Sequence, residues 1–205
     1  MEDYVAYFKS QLNKIIDKNL FRSLENRRSP HWPNMVINGA QFVNFSGNDY
    51  LGMSNNPNVL NKVKGELLNY GVGAGGAALL SGRAQIHDDL EKELALFTGF
   101  EDALLFSSGY LANLGFIPAI TKRDWLIAHD RLNHASLIDA VQASNCKHYR
   151  YPHLSHNPVS VIPNSKQSKP CLVVTDSVFS MDGDVIDANS LYKNCMKKNY
   201  FLYID

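Results

Sequence analysis

Apolar residues recur along the chain with two different periods. Val5, Phe8, Leu12, Ile15 and Ile16 share one face at helical spacing and predict an amphipathic helix over about 3–20. QFVNF at 41–45 follows an Asn38-Gly39 turn signal and reads as a strand. Pro57 suits a first helical turn, and Leu60, Val63, Leu67 and Tyr70 stripe the helix expected from Pro57 to Asn69. A further helix is expected over about 85–98, with Ile86, Leu90, Leu94 and Phe97 on one face and Gly99 as its stop.

Beyond residue 100 the pattern changes. Four short runs are wholly apolar: ALLF at 103–106, WLIA at 125–128, CLVV at 171–174 and FLYI at 201–204. Such runs suit strands buried on both faces of a parallel sheet. Helical patterns lie between them at about 109–120, 134–144 and 187–199. The alternation predicts an α/β fold, a mainly parallel sheet sandwiched by helices. Residues 152–170 hold four prolines and many polar residues and are expected to be irregular.

Polar residues follow each of these runs: Ser107-Ser108-Gly109-Tyr110, then His129, Asp130 and His134, then Thr175, Asp176 and Ser180, and finally Asp205. Ligands of open α/β sheets bind at the carboxyl ends of the strands, so these positions can converge on one site. Ser108-Gly109-Tyr110 sits where a strand should turn into a helix, either as an ordinary serine N-cap or as a phosphate cradle. His134, at a helix start, is structural, an acid/base group or a ring that stacks on a flat cofactor. Asp205 caps the next element or holds a positively charged ring nitrogen.

Composition narrows the function classes. Apolar residues are 45% and charged residues 20% of 205, as in an ordinary globular chain. Twenty basic and twenty acidic side chains cancel, so the basic excess of a nucleic-acid binder is missing. The three cysteines show no metal spacing and read as reduced thiols, which points to a cytoplasmic protein with no metal site. The N-terminus lacks the apolar stretch of a signal peptide. The uncharged segment 103–121 is broken by Ser, Asn, Gly and Pro, so a strand and helix fit it better than a membrane span. Gly71, Gly73 and Gly76 match GxGxxG, but a helix is expected before them where a dinucleotide fold needs a strand.

Taken together, FVNFSGNDYLGMS (42–54), YGVGAGGAALLSG (70–82), ALLFSSGYLAN (103–113), DRLNHASLIDA (130–140), VVTDSVFSMDGD (173–184) and FLYID (201–205) resemble the α-oxoamine synthases. These are fold-type-I enzymes that use pyridoxal 5′-phosphate. The resemblance implies that Gly109 and Tyr110, with Ser108 beside them, receive the cofactor phosphate. It implies that His134 stacks on the ring, Ser180 meets the phenolic oxygen and Asp205 pairs with the pyridine nitrogen. His134 and Asp205 are the implied catalytic residues, and Arg22, Asn48 and His134 the implied substrate contacts. Residues 1–55 would be an N-terminal helix and extended arm, and 56–205 an incomplete large cofactor domain. The match covers an N-terminal half, and the family's cofactor-linking lysine has no counterpart here. Ala77 and Ala78 replace more usual Ser, Thr or Arg, and Asp176 a more usual Glu.

The implied reaction is a decarboxylative condensation of an amino acid, here L-alanine, with a pimeloyl thioester on CoA or a carrier protein. A homodimer is implied, with the glycine-rich segment 71–82 at its interface. Glycine-using members, a nicotinamide-dependent dehydrogenase and a catalytically silent chain stand as alternatives. No nucleic-acid or membrane partner is expected.

Overall fold

The computed structural model describes residues 3–205, which form two compact units, one ending at Ala84 and the other Gln85–Asp205. In the first unit, α1 (Tyr4–Asp17) starts where the Asp3 carboxylate accepts from Val5 N–H. It stops short of the expected residue 20, because Asn19 takes a positive φ of 55° that α-helix cannot continue through. Arg22, expected near this helix, therefore lies in the irregular, exposed segment after it. The strands β1 (Asn34–Ile37) and β2 (Ala40–Val43) pair antiparallel across Asn38-Gly39. Both turn residues have positive φ, 50° and 83°, which is the twist a two-residue hairpin needs. The helix α2 (Pro57–Tyr70) begins on an Asn56 cap with Pro57 in its first turn, and α3 is the single turn Ala78–Ser81. The helix α2 runs directly into Gly71, so no strand precedes the GxGxxG pattern.

The second unit opens with α4 (Gln85–Thr98) and α5 (Gly109–Ile120), followed by β3 (Leu126–Asp130) and α6 (Ala135–Ala143). Then come β4 (Lys147–Tyr151), β5 (Cys171–Thr175), α7 (Ala188–Lys197) and β6 (Phe201–Ile204). The four strands form one parallel sheet in the order β4-β3-β5-β6. Every residue of β3 and β5 is buried, as expected for central parallel strands. Successive side chains point to opposite faces. Leu126, Ala128, Cys171 and Val173 pack with Leu191 and Cys195 of α7 and with Val159 and Ile162 of the irregular stretch. Ile127, Leu172 and Val174 pack with Ile117 of α5 and Leu137, Ala140 and Val141 of α6. The sheet is thus covered on both faces, and each fully buried Leu, Ile or Val contributes about 1.5–3 kcal/mol.

Two expectations are corrected. The run at 103–106 is not a strand. A strand exists through its ladder, and this segment pairs with none; Leu105 N–H instead donates to Glu91 Oε1 at 2.7 Å. The fourth sheet position belongs to β4, whose sequence KHYRY alternates and carries charge, because it is an edge strand with one wetted side. Among the described residues, no helix is long and apolar enough to cross a membrane, and no group of His, Cys, Asp and Glu could hold a metal.

Candidate active site

Three carboxylates lie just past the carboxyl ends of the strands: Asp130 closes β3, Asp176 follows β5 and Asp205 follows β6. Their placement follows from the register, which sets Thr175 opposite Ile204. Asp205 N–H donates to Thr175 O at 2.9 Å, and Ser177 N–H to Asp205 O at 2.7 Å, so the ladder continues through these residues. The Asp205 carboxylate accepts from Asn113 Nδ2 at 2.9 Å, and Asn113 is 1% exposed.

His134 is the N-cap of α6 and caps through its ring, Nδ1 accepting from Ser136 N–H at 3.3 Å. Its backbone N–H donates to Asp176 Oδ2 at 2.8 Å, tying the helix start to the end of β5. Burial pushes the Asp176 carboxyl upward against the His134 N–H, which lowers it, and repulsion from Asp205 and Asp130 adds to the rise. Tyr110 meets His134 edge-on, with ring centroids 6.3 Å apart, and its hydroxyl donates to Asp139, which raises the Tyr110 pKa.

At the start of α5 the Ser108 hydroxyl accepts from Leu111 N–H at 3.2 Å, so Ser108 is an N-cap. The N–H groups of Gly109 and Tyr110, in the first turn, have no intrahelical acceptor. Nothing lies within 4 Å of where a Gly109 side chain would begin. Ser180 sits in the hairpin closed by the Val178–Val185 bridge, with Gly183 at φ 77° in its turn. Ser177 anchors the hairpin to Asp205 through its N–H and its hydroxyl, the latter at 2.8 Å. Opposite, His153 spans Asp130 (3.0 Å) and Asp184 (3.1 Å) and packs edge-on against Phe179.

Ser108, Gly109 and Tyr110 open one helix, Tyr110 meets His134 edge-on, and His134 is linked to Asp205 through Ser136 and Asn113. Ser180 is tied to Asp205 only through its hairpin. Arg22 and Asn48 belong to the first unit. Sequence reading missed Asn113, Ser136, Tyr203 and His153. The signal for Asn113 was present, a lone amide inside the apolar run 111–120, since a buried amide must be partnered.

A parallel sheet with helices on both faces, with N–H donors at a helix start and a carboxylate beyond a strand end, is compatible with the pyridoxal-phosphate enzymes of fold type I. The donor set suits that cofactor: N–H donors for a dianion and a carboxylate for a protonated pyridine. The chain belongs to the class I and II aminotransferase family, which it matches over residues 40–205. It is 40% identical over 201 residues to 8-amino-7-oxononanoate synthase of Thioalkalivibrio sulfidiphilus, covering 96% of this chain and 50% of that protein. With the same enzyme of Nitrosomonas europaea it shares 39% identity over 201 residues, covering 98% and 52%. Among solved structures it superposes with TM-score 0.86 on a serine palmitoyltransferase of S. paucimobilis bound to a pyridoxal phosphate–myriocin compound, at 27% identity, over all of this chain and 53% of that one. The crystal structure of 8-amino-7-oxononanoate synthase from Francisella tularensis matches with TM-score 0.64 and 27% identity, over 78% of this chain and 44% of that one. The chain spans about half the length of the curated relatives it matches.

Proposed function

We propose that the full-length protein condenses L-alanine with a pimeloyl thioester, on CoA or a carrier protein, losing carbon dioxide to give 8-amino-7-oxononanoate for biotin synthesis. The observation that carries this reading is the 39–40% identity, over nearly the whole chain, to enzymes of that name.

In this reading the N–H groups of Gly109 and Tyr110, beside Ser108, hold the phosphate of pyridoxal 5′-phosphate. Bound there, the cofactor supplies an electron sink for charge developing on the amino-acid Cα. Asp205 keeps the proton on the pyridine nitrogen, and Asn113 fixes the carboxylate that does so. His134 covers one face of the ring and orients the substrate carboxylate. Ser180 donates to the phenolic oxygen, and Arg22 and Asn48 contact substrate. Residues 1–55 serve as an arm and 56–205 as the larger part of the cofactor domain. The protein works as a cytoplasmic homodimer, with segment 71–82 at the subunit interface.

The test is a substrate panel on the full-length protein: L-alanine, glycine and L-serine against pimeloyl, acetyl, succinyl and palmitoyl thioesters. Turnover highest with L-alanine and the pimeloyl thioester is expected. A preference for glycine or serine of tenfold or more in kcat/KM would assign the protein to another condensation.

A further inference from the structure

His134, Ser136, Asn113, Asp205 and Tyr203 form one hydrogen-bonded chain drawn from α5, from α6 and its N-cap, and from β6 and the residue after it. We propose that Asn113 is a positioning residue: starting from the Asp205 carboxylate, it sets the direction of this chain and thereby places the ring proton of His134 on Nε2. The inference deepens the cofactor-site reading and rests on it for its chemical consequence.

The direction follows from donor and acceptor counting. An ionised carboxylate only accepts, so the group 2.9 Å from Asp205 Oδ2 must be the Asn113 amide nitrogen. Turning that amide over would set its oxygen against the carboxylate. With the nitrogen fixed, Asn113 Oδ1 is an acceptor, and Tyr203 OH donates to it at 2.6 Å. The second amide hydrogen goes to Ser136 Oγ at 2.9 Å. Ser136 accepts from Asn113, and its own buried proton needs an acceptor, which His134 Nδ1 provides 2.7 Å away. The Ser136 backbone N–H points at the same nitrogen at 3.3 Å. Two donors facing Nδ1 leave no room for a proton there, so the ring hydrogen sits on Nε2, the nitrogen turned away from the helix cap.

Burial protects the order. Asn113 and Ser136 are each 1% exposed, so no bulk water competes for their hydrogens. The arrangement gives His134 a fixed donor on its outer edge, the edge that suits a carboxylate or carbonyl oxygen of a bound amino acid. The groups facing His134 are Asp176 and Ser136 at the helix start and Tyr110 from α5. The one oxygen beside Nδ1 is Ser136 Oγ, and its hydrogen is the one directed at that nitrogen.

The test reads the ring nitrogens of His134 by NMR in the full-length apo protein with 15N-labelled histidine, the signals assigned by their loss in His134→Gln. At a pH where the ring carries one proton, wild type is expected to show Nδ1 unprotonated and Nε2 protonated. Asn113→Asp is nearly isosteric; the new carboxyl shares one proton with Asp205, 2.9 Å away, and offers only lone pairs to Ser136. It draws the Ser136 proton away, and the His134 Nδ1 signal should move to the protonated range. Ser136→Ala should also raise the Nδ1–H fraction, and Ser136→Thr, which keeps the hydroxyl, should restore the wild-type signals. A wild-type proton on Nδ1, or nitrogen signals unchanged in Asn113→Asp and Ser136→Ala, would overturn the proposal. Should Asn113→Asp fail to fold, wild type and the Ser136 pair decide. Because the signals are read without cofactor or substrate, failure of the proposed condensation leaves this test standing. A wrong tautomer in an enzyme active with L-alanine would remove the relay alone.

Discussion

Removing His153 tests how the hairpin bearing Ser180 is held. Both ring nitrogens face carboxylate oxygens, Asp130 at 3.0 Å and Asp184 at 3.1 Å, so both must carry hydrogen and the ring is cationic when the bridge is made. Burial works against that charge, but the two carboxylates outweigh it and raise the His153 pKa above the usual 6.5. The Asp130 side is buried and contributes about 1.5–3 kcal/mol as a charged hydrogen bond. The Asp184 side chain is 41% exposed. Its share is therefore at most about 1 kcal/mol. The edge-on contact with Phe179 at 4.4 Å adds a little more. Asp130 keeps the N–H donors of Leu132 and Leu154, so it is not orphaned when the ring goes. His153→Ala should cost about 3 kcal/mol, a fall in Tm of about 6–12 °C for a chain of this size. A folded-state pKa raised above the unfolded one means the stabilisation is complete below 6.5 and is lost as pH rises through the raised value. Urea melts of wild type and His153→Ala across that range read both effects. A cost below about 0.5 kcal/mol, or a difference that grows with rising pH, would refute the cationic bridge.

Other expectations follow from the core and the site. Leu172, 1% exposed between the two helices α5 and α6 and the sheet, should cost about 2–5 kcal/mol as Leu172→Ala in the same melts. Burial pushes the thiols of Cys171 and Cys195 up to about 12 and about 11, so both should resist thiol titration at about pH 8 until the protein is unfolded. Asp205→Asn in the full-length protein should lower kcat tenfold or more while leaving the unfolding free energy from urea melts within about 1 kcal/mol, since its cost falls where charge develops and not in the core.

Much of the second unit was legible because buried parallel strands write themselves as continuous apolar runs, as WLIA and CLVV do; FLYI also forms a strand, but at the end of the sheet order, where Phe201 and Ile204 are exposed rather than buried on both faces. The same rule misread ALLF, because apolarity reports burial preference while strand formation requires a neighbour with free N–H and C=O groups. It also passed over KHYRY, an edge strand whose alternation of Tyr149 and Tyr151 with His148 and Arg150 marks one wetted side. The strand-end positions of His134, Asp176 and Asp205 could be anticipated from α/β topology. Their supports could not: Asn113 reaches Asp205 across 92 residues of sequence, and His153 reaches Asp184 across 31. Such contacts exist only once the sheet has brought the elements together, and local pattern carries no trace of them.

Where pyridoxal 5′-phosphate binds is the decisive measurement, and a crystal structure of the full-length protein with that cofactor would show it. The phosphate is expected on the N–H groups of Gly109 and Tyr110, the ring against His134 and the pyridine nitrogen within hydrogen-bonding distance of the Asp205 carboxylate. A cofactor bound with its phosphate away from the start of α5, or with its ring nitrogen turned from Asp205, would contradict this placement.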